Sequence, residues 1–238
     1  MFAGAGFVFH LAALPLVSDS IKDPAETHSV NVNGFVNVLV AAAEHKVGML
    51  IHSSSSAVYG DQEKMPIGED ADIHPKSPYG LHKYIGEMYC RLWSEIYGLP
   101  TVCLRYFNVY GSRQNPKGEY AGVIAKFLAL RKEGKPLMVV GDGTATRDFV
   151  SVKDVVEANI AAMKSRQVGK GEAINIGSGA MSSVKLLAEY VGGDIEYAPP
   201  RLEPKYSHAD IGRAEKLLSW SPKVVLKDGI ADLKRHLG

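Results

Sequence analysis

Residues 7–13 read FVFHLAA, a run that is apolar apart from one histidine. Such a run predicts a strand buried on both faces of a parallel sheet. Residues 49–53 (MLIHS) and 101–107 (TVCLRYF) have the same character, and amphipathic helices are predicted between the three runs at about 24–45 and 78–97. This alternation predicts an α/β fold with a doubly wound parallel sheet, in which active sites lie beyond the carboxyl ends of the strands.

The pattern changes after residue 111, where the predicted elements become shorter. They are a helix at about 120–132, strands near 137–140 and 147–150, and a helix at about 152–163. We therefore predict a sheet domain and a smaller C-terminal α/β cap. The sheet domain comprises residues 1–111 interleaved with 141–180, and the cap lies mainly in residues 112–238.

Charge and cysteine content narrow the functional classes. Lys and Arg total 27 against 26 Asp and Glu, a formal net charge of +1, so nothing attracts nucleic acid or a membrane surface. The apolar run from residue 7 to 16 is too short to span a bilayer. Cys90 and Cys103 fall inside predicted elements, as buried thiols of a reducing compartment do, so we expect a cytoplasmic protein. The eight histidines show no metal-ligand spacing.

Tyr79 and Lys83 are four residues apart at the start of the second predicted helix, so their side chains lie on one helix face. An ammonium group beside a phenol stabilises the phenolate and lowers its pKa toward neutrality. The pair is thus a candidate general base. Surface helices also produce this spacing by chance.

The segment SSSSAVYG at residues 53–60 follows the second predicted strand and places hydroxyl groups at its carboxyl end. A serine there could orient a substrate or relay its proton. The alternative is a serine-rich turn whose hydroxyls satisfy backbone donors.

Several further motifs resemble, in order and spacing, the extended short-chain dehydrogenase family of NAD-dependent sugar epimerases and dehydratases. The matching segments are HLAAL at 10–14, NVNG at 31–34, SSSSAVYG at 53–60, SPYGLHK at 77–83, LRYFNVYG at 104–111, GDGTATRDFV at 141–150, NIGSG at 175–179 and SHAD at 207–210. The resemblance implies a Rossmann-like sheet domain, NAD as cofactor and a nucleotide sugar, usually a UDP-hexose, as substrate.

The resemblance also implies roles for individual residues. Tyr79 is the base, Lys83 holds the nicotinamide ribose, and Ser55 is the catalytic hydroxyl. The implied cofactor-binding residues are Leu11, Ala12, Ala13, Ser53, Ser54, Tyr79, Lys83, Tyr106 and Phe107. The implied substrate-binding residues are Ser55, Asn108, Val123, Arg147, Arg201 and Ser207. Taken alone, Arg147 is better explained by a surface ion pair with Asp142 or Asp148.

The residues after the catalytic hydroxyl distinguish reactions within this family. Dehydratases carry an acidic pair there and decarboxylases a glutamate, because those reactions need a further proton donor or acceptor. This chain has Ser56 and Ala57, which favours epimerisation at C4 through a 4-keto sugar. The small Ser207 stands where a bulky residue would narrow the sugar pocket, so N-acetyl sugars are also expected to fit.

Relative to the family pattern, the sequence opens at the fourth strand. A strand, Gly-rich turn, helix and acidic residue that grip NAD would precede it, about 60 residues at roughly 30 per βαβ unit. Gly4-Ala5-Gly6 does not replace that turn, because it precedes a strand and position 9 is Phe. We expect NAD binding to need the preceding segment, supplied by a longer native chain or a partner, and the edge of residues 7–13 to be exposed.

Two functional readings remain open from the sequence. The first is an epimerase that uses Ser55, Tyr79 and Lys83. The second is a non-catalytic nucleotide-sugar-binding protein or dimeric scaffold. In either case we expect a homodimer through the helices at about 24–45 and 78–97.

Overall fold

The computed structural model describes residues 2–116, 122–200 and 206–235. The strands are β1 Phe7–His10, β2 Met49–Ser55, β3 Thr101–Tyr106, β4 Asn108–Tyr110, β5 Leu137–Val140, β6 Thr146–Arg147, β7 Phe149–Ser151, β8 Lys170–Ile176, β9 Ser182–Ser183 and β10 Ile195–Ala198. The helices are α1 Val17–Lys22, α2 Pro24–His28, α3 Gly34–Glu44, α4 Pro78–Tyr97, α5 Val123–Lys132, α6 Val152–Lys164, α7 Val184–Val191, α8 Gly212–Leu218 and α9 Leu226–Arg235. A π-helical turn, Ser29–Asn33, joins α2 to α3, and a 3-10 turn, Ser56–Val58, follows β2.

The central sheet has four parallel strands in the order β1-β2-β3-β8. His10 pairs with His52, which pairs in turn with Cys103, so the three strands are in close register. The predicted α/β fold with a parallel sheet is confirmed.

Successive residues of β2 point to opposite faces of this sheet, as strand geometry requires. Leu50 packs with Phe35 of α3 and Cys90 of α4, whereas Ile51 packs with Val155 of α6. The sheet is therefore covered by α3 and α4 on one face and by α6 on the other. Burying each such aliphatic side chain contributes roughly 1.5–3 kcal/mol.

Helix α4 has the bounds predicted from its local signals. The Ser77 side chain caps its N-terminus by accepting a hydrogen bond from the backbone N–H of Gly80 at 3.1 Å, and Pro78 occupies the first turn. At the other end Gly98 adopts a left-handed conformation, φ 66°, that ends the helix. These signals set the position of Tyr79 and Lys83 in the first two turns.

The first strand differs from its prediction. It ends at His10, not at residue 13, and Phe7 and Phe9 are 45% and 41% exposed. Full burial on both faces is therefore wrong for the described residues: Val8 packs with the cluster under α3, whereas Phe7 and Phe9 join none of the hydrophobic clusters in the described part of the chain. The exposed edge itself was expected.

The strand predicted near residues 147–150 is two strands, β6 and β7, separated by Asp148. Its carboxylate is engaged by backbone groups from elsewhere in the chain, which interrupts regular pairing. The helix predicted from about residue 120 begins at Val123, and residue 120 lies outside the described ranges.

A second hydrophobic cluster lies away from the central sheet. The parallel pair β5 and β10 packs with α5, α7 and α9 around Phe127, Leu187 and Ile230. Helix α8 and Trp220, by contrast, pack on the central-sheet cluster. Residues near the C-terminal end of the chain thus pack again on the central sheet. The boundary between sheet domain and cap at residue 111 stays a prediction. Among the described helices, none combines the length and apolar character needed to cross a membrane.

Candidate active site

The carboxyl end of β2 and the first turns of α4 bring Ser55, Tyr79 and Lys83 together. The Lys83 ammonium donates a hydrogen bond to the Ser53 carbonyl oxygen at 2.7 Å and lies 5.7 Å from the centroid of the Tyr79 ring. The second strand was predicted to end at Ser53, but β2 continues through Ser55, so Ser54 and Ser55 belong to the strand and do not follow it. The side chains thus converge where the fold predicts a site.

A residue that the sequence analysis missed anchors this helix end. The backbone N–H of Tyr79 donates to the Ser20 hydroxyl at 3.1 Å, and that hydroxyl donates to the Val17 carbonyl at 2.7 Å. Ser20 is fully buried in α1. Nothing in the sequence around Ser20 indicates this contact, because a polar residue in a short helix is usually exposed.

Burial is the largest influence on the ionisation of Tyr79 and Lys83. It raises the pKa of the Tyr79 phenol, and the neighbouring Ser55 hydroxyl opposes this. It also lowers the pKa of Lys83, which is 6% exposed, to about 8. The predicted net lowering of the Tyr79 pKa toward neutrality is therefore not found for the protein alone, since burial outweighs the effect of the Ser55 hydroxyl.

Two histidines lie beneath Lys83 on the same face of the sheet. Phe35 stacks on both rings, with centroid distances of 4.7 Å to His10 and 4.2 Å to His52. Burial, and to a smaller extent Lys83, lowers the pKa of His10 to about 4 and lowers the pKa of His52 well below its ordinary value. Both imidazoles are therefore neutral near pH 7, and they add no positive charge beside Lys83.

The predicted cofactor residues divide into two groups. Leu11 and Ala12 are exposed just after β1, and Ala13 is half-buried. They form an open apolar surface at the end of β1, the strand that pairs with β2. The ammonium of Lys83 has three donors, of which Ser53 satisfies one. A cofactor carrying hydroxyl groups fits this combination of apolar surface and available donors.

The remaining predicted cofactor residues are more enclosed. The Ser53 hydroxyl donates to the Tyr106 hydroxyl at 3.3 Å, which donates to Asn159 at 3.0 Å. The Ser54 side chain points to the opposite face, toward α4. Phe107 is 4% exposed and packs with Val58, Tyr59 and Ile67. Direct cofactor contact by these side chains stays a prediction.

The predicted substrate residues are partly assembled in the described structure. The Asn108 amide donates to the Asp148 carbonyl oxygen at 3.1 Å and to the Ser207 hydroxyl at 3.4 Å. Arg147 is half-buried next to Asp148 and donates to the Thr146 carbonyl at 2.9 Å. These contacts place Asn108, Arg147 and Ser207 around one region. Val123 lies at the start of α5, and Arg201 lies outside the described residues.

Asp148 holds this region together, a role that its sequence position did not reveal. Its carboxylate accepts hydrogen bonds from the backbone N–H groups of Ser178, Gly179 and Ala209 and from the Ser178 hydroxyl. Burial raises the pKa of this carboxyl group, and the hydrogen bonds oppose that. The arrangement reads as a structural clamp, so the suggested surface ion pair of Arg147 with Asp148 is wrong. In the described part of the chain, no three His, Cys, Asp or Glu side chains form a metal-binding group.

Residues 1–177 match the sequence profile of the NAD dependent epimerase/dehydratase family. The chain belongs to this family. A UDP-glucose 4-epimerase from Mycolicibacterium smegmatis is 38% identical over 232 residues, which cover 94% of this chain and 73% of the relative.

Solved structures agree with this assignment. A UDP-glucose 4-epimerase from Thermotoga maritima, with UDP-glucose, has a TM-score of 0.89 and 39% identity, covering 98% of this chain and 78% of the other. A UDP-N-acetylglucosamine 4-epimerase from Methanobrevibacter ruminantium, in complex with UDP-N-acetylmuramic acid, has a TM-score of 0.92 and 32% identity, covering 99% and 78%. The chain thus spans about three quarters of the length of these proteins.

Proposed function

We propose that this protein epimerises UDP-hexoses at C4, interconverting UDP-glucose and UDP-galactose with NAD as cofactor. The observation that carries the proposal is the convergence of Ser55, Tyr79 and Lys83 at the carboxyl end of β2. The names of the relatives support the same reaction.

NAD is the cofactor of the family, and the residues present fit it. Lys83 has ammonium donors available for the nicotinamide ribose hydroxyls, and residues 11–13 offer an apolar surface after β1. When bound, NAD supplies the acceptor and later the donor of the C4 hydride. Lys83 and the exposed residues after β1 would hold this cofactor.

Tyr79 removes the proton from the C4 hydroxyl, and Ser55 orients that hydroxyl toward it. Burial raises the pKa of Tyr79, so the phenolate depends on positive charge nearby, and Lys83 provides an ammonium 5.7 Å from the ring. Loss of this proton, together with transfer of the C4 hydride to bound NAD, would give a 4-keto sugar that turns over in the pocket. Tyr79 would then return the proton to the C4 oxygen as the hydride is restored to the other face of C4.

The nucleotide diphosphate is bound by Asn108, Val123, Arg147 and Arg201. Arginine suits this role because its forked donors match phosphate oxygens. Ser207, which contacts Asn108 through its hydroxyl, leaves room for an N-acetyl group, so UDP-N-acetylhexoses are also substrates.

The test is an epimerase assay on the full-length protein, with NAD added. Tyr79→Phe should lower kcat by about 100-fold or more, because it removes the general base. The matched control, Tyr97→Phe, removes an exposed hydroxyl from the same helix and should keep full activity. UDP binding without turnover by the wild type would support the non-catalytic binding role instead, and neither binding nor turnover would refute both.

We also propose that the protein is a cytoplasmic homodimer through the helices at about 24–45 and 78–97. Leu81, Met88 and Leu92 are exposed on one face of α4. This apolar stripe can pack against the same stripe of a second copy of the chain. Both cysteines are free and buried, as in a reducing compartment.

The oligomeric state tests this interface. Leu92→Glu should convert the dimer to a monomer by light scattering, because it places a charge in the apolar stripe. The matched control, Val156→Glu, changes an exposed residue of α6 on the other side of the sheet and should leave the dimer intact. A wild type that is monomeric at micromolar concentration would contradict the proposal.

A further inference from the structure

A buried ion pair lies on the same face of α4 as the catalytic side chains. Glu87 follows Tyr79 by eight residues and Lys83 by four, which places all three along one helix face. Its carboxylate accepts two hydrogen bonds from Arg105 of β3, at 2.9 Å from Nε and 2.7 Å from Nη2. Glu87 and Arg105 are 6% and 4% exposed. A bidentate pair of this kind has a strongly preferred geometry.

The same carboxylate binds the strand that carries the catalytic serine. The Ser54 hydroxyl donates to Glu87 Oε1 at 2.5 Å. Ser54 lies between Ser53, whose carbonyl accepts from Lys83, and Ser55, the proposed catalytic hydroxyl. Glu87 therefore binds β2 at Ser54, which lies between the residue that contacts Lys83 and the proposed catalytic serine.

The network continues from Arg105 toward the substrate region. Arg105 Nη1 donates to the Tyr59 hydroxyl at 2.8 Å, and that hydroxyl donates to Asn175 Oδ1 at 2.7 Å. The Asn175 amide donates to the carbonyl oxygens of Ile67 and Asp210. Asp210 is three residues after Ser207. One chain of buried hydrogen bonds thus joins α4, the catalytic strand and the segment that carries Ser207.

Stability alone does not account for such a group of buried polar side chains. A buried ion pair costs desolvation energy that its attraction only roughly offsets, and apolar packing of the same volume serves as well or better. What a fully hydrogen-bonded network adds is a defined geometry. Here the network defines the position of the carboxyl end of β2 relative to α4.

We propose that Glu87 is a positioning residue for epimerisation. By holding Ser54 and Arg105, it fixes the segment 53–55 against α4, so that the Ser55 hydroxyl and the Lys83 ammonium both reach Tyr79. The proposal rests on the proposed function, in that Tyr79 is taken as the base. It adds a requirement that the resemblance to the family did not supply.

Ser54→Ala is the sharpest test, because it removes the link to β2 and leaves the Glu87–Arg105 pair in place. We expect kcat per folded molecule to fall about tenfold or more, as small displacements of reacting groups do, while KM for the UDP-hexose changes less than twofold. Ser54→Thr, which keeps the hydroxyl, should recover most of the activity. Ser165→Ala is the matched control, since it removes a serine hydrogen bond to the Leu217 carbonyl at the far end of α6.

A second readout does not need turnover. The ionisation of Tyr79 is followed by phenolate absorbance, as the difference between each variant and the same variant carrying Tyr79→Phe. Ser54→Ala and Glu87→Gln should move the midpoint to higher pH, because the Ser55 hydroxyl, which lowers the pKa of Tyr79, no longer faces the phenol. An unchanged midpoint together with kcat within twofold of wild type would overturn the positioning role. So would a proportional loss of substrate binding, melting temperature and kcat, which indicates a merely structural role.

The two proposals fail in different ways. A wild type that does not interconvert UDP-hexoses contradicts the proposed function, whereas the Tyr79 titration still decides whether Glu87 positions the phenol. If the wild type is active and Ser54→Ala is equally active with an unchanged midpoint of the Tyr79 titration, only the positioning role of Glu87 is contradicted.

Discussion

Replacing Lys83 by methionine tests how strongly the site holds a buried charge. The pKa of Lys83 falls from 10.5 to about 8 because of burial, and the side chain is 6% exposed. At about 1.4 kcal/mol per pKa unit, the charged form in the folded state is disfavoured by about 3 kcal/mol relative to the neutral amine. The folded protein bears this cost at neutral pH, where the Lys83 ammonium donates a hydrogen bond to the Ser53 carbonyl oxygen.

The sign of the pH dependence follows from proton binding. Since the pKa is lower in the folded state, the unfolded state binds more protons between about pH 8 and 10.5, and the stability of the wild type gains from rising pH in that window. Lys83→Met removes this dependence. It also removes the hydrogen bond to the Ser53 carbonyl, which costs about 1–3 kcal/mol at every pH.

At pH 7 the free energy of unfolding of Lys83→Met should therefore be near or slightly above the wild-type value. By pH 10.5 it should have fallen by about 3 kcal/mol relative to the wild-type value. Urea unfolding of both proteins at half-unit pH steps, without nucleotide, measures the difference. Lys185→Met, which removes an exposed ammonium from α7, is the control and should show a nearly constant difference. A Lys83→Met difference that stays within about 0.5 kcal/mol over this range would refute the desolvation argument.

Further predictions concern backbone packing and the Asp148 clamp. Gly80→Ala should lower the melting temperature and the activity, because the new Cβ would lie 2.5 Å from the Ala57 carbonyl oxygen. Gly34→Ala, whose Cβ meets only Ser29 at 3.8 Å, should instead stabilise the protein by about 0.5–1 kcal/mol in urea unfolding. Asp148→Ala should destabilise by about 3 kcal/mol or more, because three backbone N–H groups lose their acceptor, and a loss below 1 kcal/mol would contradict the clamp.

Local signals made much of the fold predictable. The bounds of α4 follow from Ser77, Pro78 and Gly98, which act within one turn of the helix. The parallel sheet follows from the alternation of apolar runs with amphipathic helices, because crossovers of that length place strands side by side. The pairing of Tyr79 with Lys83 on one face follows from helix geometry alone.

Other features depend on distant groups and so lie beyond sequence reasoning. Ser53 and Ser54 are adjacent and chemically identical, yet they face opposite layers, because β2 runs on through Ser55 and its side chains alternate. The direction of the Tyr79 pKa shift is set by how deeply the ring is buried, which no spacing encodes.

By itself, then, the sequence determined the fold class, the bounds of α4 and the spacing that places Tyr79 and Lys83 on one face of that helix. Periodicity and capping are properties of neighbouring residues, and they can be read in order along the chain. The tertiary structure alone decided that Glu87 grips Ser54 and Arg105 and that Asp148 joins three segments. Those contacts join residues 18 to 61 positions apart, and only the packing of helices on the sheet brings them within hydrogen-bonding distance.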